Sequence, residues 1–298
     1  MIHSPVSDGA MEICWVMARV KIITDSTADI PPALAQELNI TVIPIYVHFG
    51  DQTLRAGIDI SNEQFYRRMA EGGPYPYTTA PAPGVFEQYY RQFSREYDGV
   101  FSIHLSNRFG GVVKSATIAR DKLPASLTRV EVIDSTSTSL GLGMVAIAAA
   151  RAALDGASID EVHRVVMQTI QLTHVVFFVD SIDYLERSGR LSQASAMLGS
   201  MQRIKPLLIL DDGEIVPYDR TRTRAKAIEG LFTFIEDFPK VEQVAIMHST
   251  TPDDVEKLLE KIDPIYPRDQ VMIVEYGPAL GAHLGPNAMG VVVYEGME

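Results

Sequence analysis

The chain has 298 residues, 46% of them hydrophobic, 21% charged and 8% aromatic, a balance that excludes a dominantly disordered polymer and suffices for two domains at roughly 100 to 200 residues each. The net charge of −12 opposes whole-chain attraction to phosphate backbones or anionic lipid, so nucleic acid is not an expected partner. A single cysteine, Cys14, cannot form an internal disulfide, no Cys/His spacing suggests zinc, and a reducing cytoplasm fits.

Residues 1–19 carry Asp8 and Glu12 and lack a basic start with a long apolar core. They read as a loosely ordered extension and not as a secretory signal, and Met17 is an equally good start. No window reaches the roughly 18 apolar residues of a spanning helix, so a soluble, cytoplasmic protein is expected. From Val20 onward, β-branched runs alternate with amphipathic stretches, the pattern of an α/β fold. A strand is predicted at Val20 to Thr24, then a helix from about Pro31 to Leu38 capped by Asp29, a strand at Ile40 to Val47, and a helix after Ser61. Gly72 to Gly84 contains four prolines and reads as an extended loop, since proline forbids a regular helix or a central strand. A helix at Phe86 to Phe93, a strand at Gly99 to Leu105, a helix from near Gly111 and a strand at Val130 to Asp134 follow. Helices across Leu140 to Leu154 and Ile159 to Thr169 link the halves.

The second half is predicted as a strand at His174 to Val179, short helices through Leu185 and Met197, and a strand at Lys205 to Leu210 that turns at Asp211 to Gly213 into Ile215 to Tyr218. A helix from Ala225 to Phe234, strands at Val244 to His248, Val271 to Tyr276 and Gly290 to Tyr294, and a helix from Pro252 to Ile262 complete it. The expected architecture is two α/β domains, residues 20–157 with a mainly parallel, Rossmann-like sheet and residues 158–298 with a mixed sheet and a hairpin.

Ligands of open α/β sheets sit beyond the carboxyl ends of the strands, and those ends are rich in hydroxyls: Ile22 to Thr27, Leu105 to Gly111 and Ile133 to Gly143. The plainest role for such Ser and Thr is helix capping; several together also suit a polar ligand head. No Walker loop is present, and Ser188 and Ser106 lack the paired glycines of a nucleophile elbow. His283 lies in a Gly- and Pro-flanked stretch that reads as a loop able to approach a ligand. Arg187, Arg190, Arg203 and Lys205 form a basic cluster in an acidic chain, either a solvated face or a docking surface for an acidic partner.

Taken in order, ITDSTADI, TTAPAPG, LSNRFGGVVKSA, IDSTSTSLGLG, YLERSGRLS and GPALGAHLGPNAMG resemble the successive signatures of the DegV family, from about Val20 to Tyr294. The resemblance implies an EDD-like fold of two α/β domains holding a long-chain fatty acid, without catalysis of its own. It also implies a partner, the ATP-dependent fatty acid kinase subunit to which the carboxylate is presented. The family's carboxylate-binding Thr and His fall on Thr78, with Thr79 beside it, and on His283. The Ser-bearing loop departs from the family pattern and reads Ser106-Asn107-Arg108, so Ser106 and Asn107 are the expected donors there. Ser26, Gly111 and Gly281 lie in the loops expected around the ligand, and Arg187 and Arg190, by the family's Gly-Gly-Arg loop, are expected to meet the kinase. No cofactor or metal is expected. Two other readings stay open: a carrier of a different amphipathic molecule, and a small-molecule hydrolase or transferase using a hydroxyl or His283.

Overall fold

The computed structural model describes residues 19–190 and 204–296. Most of the expected N-terminal extension, the helix expected through Met197, and Arg203 lie outside them.

The first half runs β1 (Val20–Asp25), α1 (Pro32–Glu37), β2 (Ile40–Ile43), β3 (Tyr46–Phe49), β4 (Gln52–Arg55), α2 (Asn62–Ala70), β5 (Tyr77–Thr79), α3 (Pro83–Phe93), β6 (Gly99–His104), α4 (Val112–Asp121), β7 (Arg129–Asp134), α5 (Ser139–Leu154) and α6 (Ile159–Gln171). Four strands form a parallel sheet in the order β2-β1-β6-β7. β1 and β6 are buried at every position, as expected of central strands covered on both faces. Capping boxes at Ser61 with Gln64 and at Ser158 with Glu161 start α2 and α6 by satisfying backbone donors reciprocally. α6 sends Val162 and Val166 into the same core as Ile22 and Phe101 of the parallel sheet.

Four expectations need correction. The strand predicted across Ile40 to Val47 breaks at Pro44, and its second part becomes β3 of a separate antiparallel sheet, β4-β3-β5, because proline cannot donate to a ladder. The proline-rich loop is not wholly irregular: between Pro76 and Pro81 it carries β5, an edge strand paired with β3. Asp29 does not cap α1. Pro31 takes the N-cap position, while Asp29 adopts a left-handed conformation with φ 49° and turns its carboxylate to Ser139 and Gly277. The stretch around His283 is not a loop but a short helix, described next.

The second half runs β8 (Thr173–Phe178), α7 (Asp183–Arg187), β9 (Lys205–Asp211), β10 (Glu214–Thr221), α8 (Arg224–Glu236), β11 (Gln243–His248), α9 (Pro252–Ile262), β12 (Met272–Glu275), α10 (Pro278–Leu284) and β13 (Met289–Tyr294). Its sheet has the order β10-β9-β8-β13-β11-β12. Every pairing is antiparallel except β11 with β12, which makes the sheet mixed, and the Asp211 to Gly213 turn closes the expected hairpin. One apolar cluster joins the halves: Ile23, Phe86 and Val100 share it with Val175, Phe177 and Met247.

Candidate functional site

Residues from both halves of the chain line a cavity of about 330 Å³, at the lower end of the range typical of small-molecule sites. β8 contributes Val175 and Phe177, the hairpin Leu210 and Ile215, and β11 Met247; Leu105, Phe109, Leu280 and Leu284 face them. The wall is mostly apolar. Three of its polar groups, Thr78, Arg190 and His283, lie at one end, where they also border a second, outer pocket lined by Tyr75, Tyr184 and Arg187.

The polar end is assembled from both halves of the chain. β5 is held by β3, with Val47 opposite Thr78, and α10 carries His283 so that its Nε2 lies 2.8 Å from Thr78 Oγ1. With the proton on Nε2 the ring donates to Thr78, whose hydroxyl hydrogen is then free for a ligand; with it on Nδ1 the ring accepts from Thr78. The position of α10 follows from two contacts. Gly277 N–H at its start donates to Asp29 at 2.8 Å, and Gly281 has no side chain where a Cβ would stand 2.7 Å from Phe65 and from the Tyr66 hydroxyl. Burial, then the charge of Arg190, pushes His283 down to about 4, so the ring is neutral near pH 7. Arg190 lines the cavity, its Nε is buried without a hydrogen-bond partner among the described residues, and burial lowers its pKa. A half-desolvated guanidinium beside the free hydroxyl hydrogen of Thr78 is suited to an anion. Gly110 and Gly111 also line the wall where α4 begins without a side-chain cap.

The structure thus brings Thr78 and His283 together. Thr79 lines the cavity, but its hydroxyl is 2.8 Å from His48 Nε2, as alternation along a strand requires of Thr78's neighbour. Ser106 is fully buried and donates to the Gly213 carbonyl at 3.0 Å. Asn107 is exposed, its backbone N–H bonds Asp134, and neither it nor Ser106 is on the cavity wall. Arg108 pairs with Glu214. Ser26 accepts from Ile45 N–H and lies outside the cavity. Gly111 borders the cavity, whereas Gly281 serves helix packing. Arg187 is exposed and stacks its guanidinium over Tyr75 at 4.1 Å.

Sequence reading missed a buried network beneath the site. Tyr90 donates to Ser102 Oγ at 2.8 Å, Ser102 Oγ lies 2.6 Å from His104 Nε2, and His104 Nδ1 lies 3.0 Å from Asp25. Burial pushes Asp25 up, yet hydrogen bonds from His104, Thr27 and Leu105 outweigh it and hold the carboxyl low. Ser102, His104 and Asp25 repeat the order of a hydrolytic triad, but all three are fully buried and none reaches the cavity. Their visible effect is to tie Thr27 and Leu105, two wall residues, to the central strands. Among the described residues no group of three or more His, Cys, Asp or Glu is arranged to hold a metal ion, and no helix is long and apolar enough to cross a membrane.

Residues 19–296 match the family model described as an uncharacterised protein of the DegV family. A DegV domain-containing protein of Caldanaerobacter subterraneus is 35% identical over 94% of this chain and all of its own. Among solved structures, a fatty-acid-binding DegV family protein of Thermus thermophilus superposes with a TM-score of 0.85 at 29% identity, covering 93% of this chain and 99% of that one. The fatty acid binding protein DegV of Bacillus subtilis gives 0.84 at 30% identity, with the same coverage.

Proposed function

Because the chain belongs to the DegV family, we propose that it binds a long-chain fatty acid between units 20–157 and 158–298 and presents the carboxylate to a separate ATP-dependent kinase. The observation that carries this reading is one mostly apolar cavity at whose border with the outer pocket Thr78, His283 and Arg190 come together. A sixteen-carbon tail gains about 0.8 kcal/mol per buried methylene, on the order of 12 kcal/mol before binding costs. The tail therefore supplies affinity, and the polar end needs only to orient the head.

At that end neutral His283 donates from Nε2 to Thr78 Oγ1, Thr78 donates its hydroxyl hydrogen to the carboxylate, and Arg190 offsets its charge. The same three residues border the outer pocket, so a partner reaching that pocket meets the carboxylate oxygens directly. Phosphoryl transfer would then proceed by attack of a carboxylate oxygen on the terminal phosphorus of ATP, with ADP leaving, and the partner supplies the nucleotide and its metal. Arg187, exposed beside the mouth, is placed to meet that partner. In this reading the protein is a carrier, not a catalyst, and works in the cytoplasm. Mass spectrometry of lipid extracted from natively purified protein tests it: a bound acyl chain is expected, and absence of one, with no uptake of palmitate or oleate, rejects the reading. Turnover of an ester or phosphate substrate that disappears in His283→Ala would instead establish an enzyme.

A further inference from the structure

The cavity wall holds one polar group that the fatty-acid reading leaves without work. Thr138 lines the cavity and is more than nine-tenths buried, and its Oγ1 has no hydrogen-bond partner among the described residues. It occupies the N-cap position of the sixteen-residue helix α5, but its side chain does not make the capping bond for which threonine is favoured there. Gly141 and Leu142 bond its backbone carbonyl instead. Thr27, the other hydroxyl on this part of the wall, is spent on Asp25 at 2.6 Å.

Thr138 does not border the outer pocket, as the mouth residues Thr78, Arg190 and His283 do. Val175 and Leu210 of the cavity wall also border a third pocket of about 200 Å³, lined by Ser135, Thr136, Ser137 and His174 and reaching the surface at the exposed Gln171, Asp211 and Asp212. Ser137, next to Thr138, is likewise more than nine-tenths buried with an unpartnered Oγ. Gly141 borders the same pocket, and a Cβ there would stand 2.1 Å from Ser137 Oγ, so only glycine lets the Ser137 hydroxyl pack against the first turn of α5. A plain hydrocarbon tail lying along Val175 and Leu210 would keep Thr138 Oγ1 desolvated and unpaired, which disfavours it. A site with a polar group waiting discriminates against the ligand that lacks the matching oxygen.

From the buried, unpartnered hydroxyl of Thr138 on the cavity wall we propose that the preferred ligand is a hydroxylated acyl chain, whose hydroxyl, remote from the carboxylate, bonds Thr138. The proposal rests on the fatty-acid reading above and narrows its ligand class. Affinities of the delipidated full chain for stearate, 12-hydroxystearate and 18-hydroxystearate, by competition against a fluorescent fatty acid, test it. At least one hydroxy acid is expected to match or exceed stearate, and Thr138→Val to lower that acid about tenfold relative to stearate. Thr138→Ser, which keeps the hydroxyl, should keep the preference. If stearate outcompetes both hydroxy acids, or if Thr138→Val leaves the ratio unchanged, Thr138 meets only water and the proposal falls while the fatty-acid reading stands. Failure of all three acids to bind overturns the fatty-acid reading and this proposal with it.

Discussion

Thr78 and Arg190 do different work at the same end of the cavity, and substitution separates them. Thr78→Val keeps the shape and removes one neutral donor, at a cost of about 1 kcal/mol, so palmitate should bind roughly fivefold more weakly with little change for hexadecanol. Arg190→Met removes a half-buried cation, and charge-assisted bonds are about twice as strong as neutral ones. It should therefore erode the preference for palmitate over hexadecanol further than Thr78→Val does; equal ratios in the two variants would place Arg190 outside the head site. The titrating groups nearby make a separate claim. Asp29 is raised to about 7 from 3.8, chiefly by burial and also by Asp25, against hydrogen bonds from Ser139 and Gly277. The folded state thus keeps a proton that the unfolded chain releases, and the associated stability is full below about pH 4 and lost as pH rises through 7. His283, lowered to about 4 from 6.5, acts oppositely, and its effect is a loss of stability as pH falls from 6.5 toward 4. Melting temperatures of Asp29→Asn should exceed those of the wild type at pH 8, with the gap closing toward pH 4. Parallel curves would show that Asp29 does not titrate in this window.

At the scale of elements, what could be read in advance was what local pattern controls. Fully buried strands such as β1 and β13 show as short runs rich in β-branched residues, and the Asp211 to Gly213 turn is written in its residue types. β3, β4 and β5 were hidden because they are short and their pairing is decided by Pro44 and by partners distant in sequence. α10 was hidden because seven residues bounded by Gly277 and Gly285 look like a loop to any local rule. For the site, Thr78 and His283 were legible through the ordered motifs. The inward side of Arg190 and the unpaired hydroxyl of Thr138 were not, since both depend on packing between segments distant in sequence. The packing of α10 is itself testable. Gly281→Ala drives a methyl group toward two buried rings, an overpacking that typically costs 1–3 kcal/mol. Both melting temperature and palmitate affinity should drop, because the helix that must shift carries His283. Unchanged affinity would mean that the rings yield and α10 stays in place.

For the whole molecule, the decisive feature is that the core and the cavity are shared. Ile23 and Phe86 of the first half and Phe177 and Met247 of the second belong to one apolar cluster, while Asp29 on one side holds the Gly277 N–H that begins α10 on the other. Neither unit completes the cavity alone, so a ligand lying in it contacts groups that separate on unfolding. Anything that binds only the folded state stabilises it by RT ln(1 + [L]/Kd), about 2.7 kcal/mol at a hundredfold excess over Kd. Delipidated protein titrated with palmitate should therefore melt in one transition that moves upward as ligand is added, with no second transition left behind at the ligand-free temperature. Calorimetry checks this directly. Two separate transitions, only one of which responds to palmitate, would mean that the ligand is held by a single unit and would remove the shared cavity as the basis of binding.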